Sequence, residues 1–289
     1  MSAGVLTLNV QCQGSCTCNK ADNSIPGLKA EKKTSIDNAV GFVSYTHSSK
    51  NSFTLKGVLY GGDTLGEDNG EDIEGVTKVS VYYWDGDENK PLVIEVVKRD
   101  SPHEPEYFYK HDQDEEEAKG DATIWRHHGY SGGTSLQDRL DDRNASINNV
   151  LPLDLERPNK PFNFSSSLSK NVTIELVHDS KPPPGSEYVS TAYKINGIDR
   201  DTRISRIEYQ KQKIKDIIIP TGGQINGIRF YSSTSISPVP IMINFDVKGG
   251  DSKWYYSTDK SGTKWAEHDD GSTFYGGDGN GVRKLLPTS

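Results

Sequence analysis

Gly129-Tyr130-Ser131-Gly132-Gly133 has the Gly-x-Ser-x-Gly spacing that presents a serine nucleophile on a tight turn, and His127 and His128 stand beside it. Such an elbow works only where a strand enters, a helix leaves, and a parallel sheet brings an acid and a histidine from later in the chain. This sequence alternates strand-like runs with turns and offers no series of crossover helices, so the pentapeptide reads as a glycine-rich turn, with Ser131 and a histidine kept as the hydrolase alternative. Cys12, Cys16 and Cys18 form Cys-x3-Cys-x-Cys with no histidine nearer than His47. Three crowded thiols fall short of the four ligands of a structural zinc site. The readings left open are one short-range disulfide with a free thiol, three reduced thiols, and a metal site.

Carboxylates are the other candidate chemistry. Asp85-Gly86-Asp87-Glu88-Asn89 starts like a calcium loop, but Lys90 stands where the sharp-turn glycine belongs and Val96 where the bidentate glutamate belongs, so it is not an EF-hand. The runs Glu67-Asp68-Asn69-Gly70-Glu71-Asp72 and Asp112-Gln113-Asp114-Glu115-Glu116-Glu117 are ordinarily solvated, although they could hold calcium weakly or face a basic partner. Asp85, Asp87, Glu115 and Glu116 are the candidate partner contacts. A calcium-dependent adhesion module would need carboxylates from separate loops to converge at one point. Asn144-Ala145-Ser146, Asn163-Phe164-Ser165 and Asn171-Val172-Thr173 match the N-glycosylation sequon, which carries meaning only in a secreted chain. No catalytic residue, cofactor or metal site is assigned.

The elements that would have to position these residues are strands. Of 289 residues, Leu, Ile, Val and Phe make up roughly a fifth, only just above the level typical of disordered chains. Val and Ile outnumber Leu 38 to 16, and 14 Tyr join them, so the apolar supply is of the β-branched and aromatic kind that suits pleated surfaces. The net charge is −8 without a basic stripe, which argues against nucleic acid and anionic membranes. Aliphatic runs reach three residues, as at Ile217-Ile218-Ile219, far short of the roughly 20 needed for a membrane span. Met1 to Val10 lacks a cationic start and an apolar stretch of secretory length, so no signal peptide is visible.

An internal correspondence organises the chain. At an offset of 149, Val76, Val79, Val81, Tyr82, Pro91, Leu92, Ile94 and Val96 meet Ile225, Ile228, Phe230, Tyr231, Pro240, Ile241, Ile243 and Phe245. Tyr107-Phe108-Tyr109 and Trp254-Tyr255-Tyr256 follow, and then Trp125 and Trp265, at offsets of 147 and 140, the acidic run accounting for the shortening. These aromatics are expected in core and edge packing rather than stacked on sugars. Alternation predicts a hairpin from Val79 to Val97 around Asp85 to Pro91, a counterpart from Ile228 to Phe245, and strands at Leu6–Val10, Phe53–Leu59, Val172–Val177 and Tyr193–Ile195. Ser135 is placed to cap a short helix through Leu140, while Ile204, Ile207, Ile214 and Ile217 follow a mixed period.

The expected fold is all-β and mainly antiparallel, with tandem sandwich-like or twisted-sheet modules and at most one or two short helices. The first module covers residues 1–156, a Pro- and Ser-rich linker 157–170, and a divergent second module 171–289. The second module stops early: either Leu151, Leu153 and Leu155 open it, or it lacks a final strand.

Val79-Ser80-Val81-Tyr82-Tyr83-Trp84, Lys90-Pro91-Leu92-Val93-Ile94, the aromatic cluster, and Leu140-Asp141-Asp142-Arg143-Asn144 resemble an expanded family of Theileria-type blood parasites related to FAINT domains. The opening Met1 to Leu8 and its cysteine cluster add to the likeness, which covers the first module well and the second weakly. In the family pattern a cysteine follows the asparagine of the Leu-Asp motif. Here that position is Ala145, which leaves Cys12, Cys16 or Cys18 without a long-range partner. The resemblance implies a non-enzymatic interaction or display protein, secreted or exposed to the host, that binds a protein or glycan partner, with no catalytic residue to carry over.

Overall fold

The computed structural model describes residues 4–11, 25–66, 70–110, 123–127, 134–155, 173–177, 188–196, 203–210, 212–219, 225–233, 239–247 and 252–268. It divides into two compact units, Met1–Asn148 and Asn149–Ser289. Strands dominate both, as the β-branched composition requires.

The first unit contains β1 (Val5–Leu6), β2 (Lys29–Lys33), β3 (Phe42–Leu55), β4 (Thr64–Leu65), β5 (Ile73–Trp84), β6 (Asp87–Lys98), β7 (Glu106–Lys110), β8 (Ile124–His127) and α1 (Leu136–Asn148). The strands form one eight-stranded sheet ordered β1-β3-β5-β6-β7-β8-β4, with β2 also against β3. The sheet curls back on itself. Leu65 N donates to Gly57 O at 2.7 Å, and Val58 bridges Thr64, so β4 meets the chain just beyond β3. Inside the curl lie Val79, Val81, Ile94, Val96, Phe108 and Trp125, together with Leu6 and Leu8 of the leading strand, all buried. Each buried aliphatic side chain of this kind contributes about 1.5–3 kcal/mol. β2 is exposed along its whole length, and its three lysines discourage further pairing at that edge.

The second unit contains β9 (Val150–Asp154), β10 (Thr173–Val177), β11 (Tyr188–Asn196), β12 (Arg203–Tyr209), β13 (Gln212–Lys213), β14 (Ile225–Ser233), β15 (Pro240–Val247), β16 (Lys253–Ser257) and β17 (Trp265–His268). A six-stranded sheet, β10-β11-β14-β15-β16-β17, and a three-stranded sheet, β13-β12-β9, enclose one core. Leu153, Ile204, Ile207, Ile214 and Ile217 meet Ile228, Phe230, Ile243, Phe245 and Trp265 there. The mixed isoleucine period therefore belongs to two short strands and the loop after them.

The pairing registers of the two large sheets coincide. Val79 opposes Val96 and Val81 opposes Ile94, as Ile228 opposes Phe245 and Phe230 opposes Ile243. The register slips after Tyr82 in one unit and after Tyr231 in the other, and in both a proline, Pro91 or Pro240, sits at the slip. A missing N–H is tolerated at such an irregularity. Phe108 opposes His127 and Lys110 opposes Trp125, as Tyr255 opposes Glu267 and Ser257 opposes Trp265.

Two expectations need adjustment. The β5–β6 turn is only Asp85-Gly86, because the strands continue through Asp87 to Pro91 by register slips instead of breaking there. Gly86 fits because a Cβ would lie 2.5 Å from the Trp84 indole folded over it. The unit boundary falls at Asn148, before 156, because β9 pairs in parallel with β12. Leu151 and Leu153 thus open the second unit, as Leu6 and Leu8 open the first, where β1 pairs in parallel with the end of β3. The proposed linker 157–170 and Val282 to Leu286 lie outside the described residues.

Candidate functional site

Of the residues singled out in the sequence, Ser131, His128, Cys12, Cys16, Cys18, Glu115 and Glu116 lie outside the described residues. His127 is placed on β8, its ring edge-on to Phe108 at 5.4 Å, as a cross-strand cap on that phenyl ring. Asp87 accepts hydrogen bonds from the backbone N and Nδ2 of Asn89 at 3.1 and 3.0 Å, so its carboxylate shapes the turn locally. Asp85 is exposed, and its backbone N donates to Gly41 O at 3.1 Å. The better-held acid in this hairpin is Glu88, which accepts from Lys32 Nζ at 2.8 Å and from Tyr45 OH at 2.8 Å. Desolvation pushes the Glu88 carboxyl up, but these two donors outweigh it and hold the group below its ordinary value. Among the described residues no three His, Cys, Asp or Glu side chains are arranged to hold a metal ion.

A loop that sequence reasoning misses presents two apolar groups to solvent, as Ile218 does singly in the second unit at 70 % exposure. Between β3 and β4 the chain runs Gly57-Val58-Leu59-Tyr60-Gly61-Gly62-Asp63. Leu59 is buried at 2 % exposure, while Val58 and Tyr60 on either side are 48 % and 63 % exposed. The backbone is fixed at several points. Tyr60 N donates to Leu8 O at 2.9 Å, Leu59 N to Asp63 O at 2.8 Å, and Gly57 N to the Asp72 carboxylate at 3.1 Å. Gly57 lies so close to the neighbouring chain that a Cβ would sit 2.1 Å from Gly70 O, so the crossing accepts only glycine there. Gly61 and Gly62 take φ of 101° and 94°, the left-handed region that returns the chain to β4. Lys56 Nζ reaches Asp72 at 2.8 Å and holds its carboxyl below the ordinary value. The Gly61-Gly62 pair was the available sequence signal, masked by reading Phe53 to Leu59 as one strand.

The same loop anchors the flanks of both acidic runs. Lys110, the last residue of β7, reaches Asp63 at 2.7 Å, and Trp125 Nε1 donates to the same oxygen at 3.1 Å. Thr64 N donates to Thr123 O and Gly66 N to Trp125 O. The segment carrying Asp112 to Glu117 therefore leaves and rejoins the described structure beside Asp63 and Thr64. The run beginning at Glu67 starts directly after Gly66.

A second cluster lies on the opposite face of the first sheet, beneath α1. Glu95 is 5 % exposed, and Lys78 Nζ lies 2.6 Å from its Oε1. Tyr82 OH and Tyr107 OH donate to its Oε2 at 3.2 and 3.3 Å. Desolvation, with the Glu95 charge adding to it, pushes the Tyr107 hydroxyl up to about 12 and raises Tyr82 further. Helix α1 covers this face through arginines. Arg139 and Arg143 stack over Tyr107 and Tyr109 at 4.6 and 4.5 Å, and Arg143 also donates to Lys110 O at 2.5 Å. Gln137 reads the backbone of Val40, accepting from its N at 2.6 Å and donating to its O at 3.3 Å. This network ties α1 to the sheet around the buried Glu95.

No family model, curated protein or solved structure matches the chain. Trp125, Trp254 and Trp265 are buried, in agreement with a packing role for the aromatic clusters. No helix among the described residues is long and apolar enough to cross a membrane.

Proposed function

We propose that this chain is a non-enzymatic interaction protein, built from two copies of one sheet unit and displayed at a host–parasite interface. The parasite setting rests on the resemblance of its first-unit motifs alone. The observation that carries the binding reading is the rim loop of the first unit, where Val58 and Tyr60 are held out to solvent by a backbone pinned to Leu8, Asp63 and Asp72. A preorganised aromatic group loses little entropy on docking, which is why tyrosine anchors are effective contacts. The segments that carry the acidic runs leave and rejoin beside this loop at Gly66, Lys110 and Thr123, so the partner that fits best is a protein surface with an apolar recess ringed by basic groups, and Glu115 and Glu116 steer it.

The test is affinity capture from host-cell lysate or plasma with the intact chain and with Tyr60→Ala. A reproducibly captured protein that Tyr60→Ala binds at least about tenfold more weakly supports the reading. The double substitution Glu115→Lys, Glu116→Lys should slow association and flatten its dependence on salt. A partner held equally well by all variants would remove this loop as the contact, and failure to capture any partner would count against the interaction function.

A further inference from the structure

We propose that Asn144, although it heads an Asn-Ala-Ser sequon, carries no glycan in the folded protein, and that a chain glycosylated there cannot complete the first unit. N-glycans are bulky and attach through the Asn Nδ2, so the acceptor belongs on an accessible surface. Asn144 instead lies inside α1 at 1 % exposure, between Arg143 at 2 % and Ala145 at 1 %. Its Oδ1 accepts from Asn148 Nδ2 at 2.8 Å, one turn on, which fixes the amide orientation. The Nδ2 that would bear the sugar is sealed and has no hydrogen-bond partner among the described residues. A sugar on that atom would have to displace the helix face that seats Leu140, at 0 % exposure, and holds Arg143 on Tyr109 and on Lys110 O. Losing that seat exposes a core leucine and takes a buried guanidinium off its ring and carbonyl partners.

The inference does not rest on the proposed binding function, but it constrains the route by which such a protein could reach a host. The experiment directs the full chain through the secretory pathway of cultured animal cells with an added signal peptide and maps occupancy of Asn144 by mass spectrometry. Secreted and retained pools are mapped separately, each after limited proteolysis. The expected result is secreted, protease-resistant protein unmodified at Asn144, with any Asn144-glycosylated chains confined to the protease-sensitive retained pool. Ser146→Ala abolishes the sequon without touching Asn144 and should raise the secreted yield several-fold wherever Asn144 is being modified. Made in the cytosol, that variant should keep the wild-type melting temperature. Secreted, protease-resistant protein bearing a glycan at Asn144 would overturn the proposal.

Discussion

Val79, Val81, Ile94 and Val96 in the first unit and Ile228, Phe230, Ile243 and Phe245 in the second hold the same pairing positions and are all buried. On the other face, the first unit's Ser80, Glu95 and Tyr107 stand where the second has Arg229, Asn244 and Trp254. Apolar burial is non-directional, so Val and Phe can exchange along the inner face provided that neighbouring volumes compensate. A buried polar network has no such latitude, because each member needs its own partner. The first unit satisfies Glu95 with Lys78 and two tyrosines under α1, whereas among the described residues Asn244 makes a neutral contact, Nδ2 to Lys253 O at 3.3 Å. Closure differs too. A two-residue ladder joins β4 to β8, while in the second unit the Asp216 carboxylate accepts from Trp265 N at 3.3 Å.

The hardest test of the shared face is to hollow it at matched points. Ile94→Ala and Ile243→Ala remove equivalent side chains, both 0 % exposed, and each should cost about 2–5 kcal/mol in its own unit. Urea unfolding followed by tryptophan fluorescence and near-UV circular dichroism measures both. A loss at one site more than about 2 kcal/mol smaller than at the other would show that the matched registers do not make matched cores.

The polar faces should separate the units more sharply. Glu95→Ala leaves two buried hydroxyls and Lys78 without their acceptor and should cost about 2–3 kcal/mol, whereas Asn244→Ala should cost about 1 kcal/mol. The same network gives the first unit an alkaline limit. Tyr107 and Tyr82 hold their protons more tightly folded than unfolded, so their stabilisation is complete below pH 10, where the unfolded tyrosines are also neutral. It is lost as pH rises from about 10 toward 12, because the unfolded chain ionises first. Urea midpoints at pH 9 and 11 should fall for the wild type and fall less for Tyr107→Phe.

How much of this was legible beforehand follows the same division. The inner face was readable because alternation at a fixed offset marks both the strands and their register, down to the prolines at the slips. The leading segments were legible as well, a strand at Leu6–Val10 and Leu151 and Leu153 as one reading of where the second module opens, but their partners are parallel and distant in sequence, which periodicity does not report. The rim loop escaped because Leu59 continues the apolar rhythm of β3 while its neighbours turn outward, a consequence of where Gly57 crosses Gly70. Glu95 escaped as well. A glutamate in a strand reads as solvent-facing until the helix that covers it is placed.

The rim loop offers a smaller effect with a functional consequence. Gly57→Ala forces a methyl group against Gly70 O and should cost more than about 1 kcal/mol, with Tyr60 presentation lost before the core is. Limited proteolysis should then cut between residues 57 and 63 while leaving the rest of the unit intact. Faster cutting elsewhere would mean that the crossing supports the whole curl and not the loop alone.

The finest distinction concerns α1, which among the described residues has no counterpart in the second unit. Ser135 starts it as a capping residue: Asp138 N donates to Ser135 Oγ at 3.1 Å, and Ser135 Oγ donates to the Asp138 carboxylate at 2.6 Å. Asn149, at φ 52°, closes the helix in the left-handed conformation. Ser135→Ala removes one acceptor from the first turn and should cost about 1 kcal/mol, all of it in the first unit. Because Arg139 follows directly and stacks on Tyr107, fraying of that turn should admit water to the Tyr107 hydroxyl and withdraw the Arg139 charge that favours the tyrosinate; burial is the larger of these two opposed effects, so ionisation should ease. Ultraviolet titration of tyrosinate would then begin at lower pH in Ser135→Ala than in the wild type. An unchanged titration together with the full loss of stability would mean that the helix frays without lifting from the sheet.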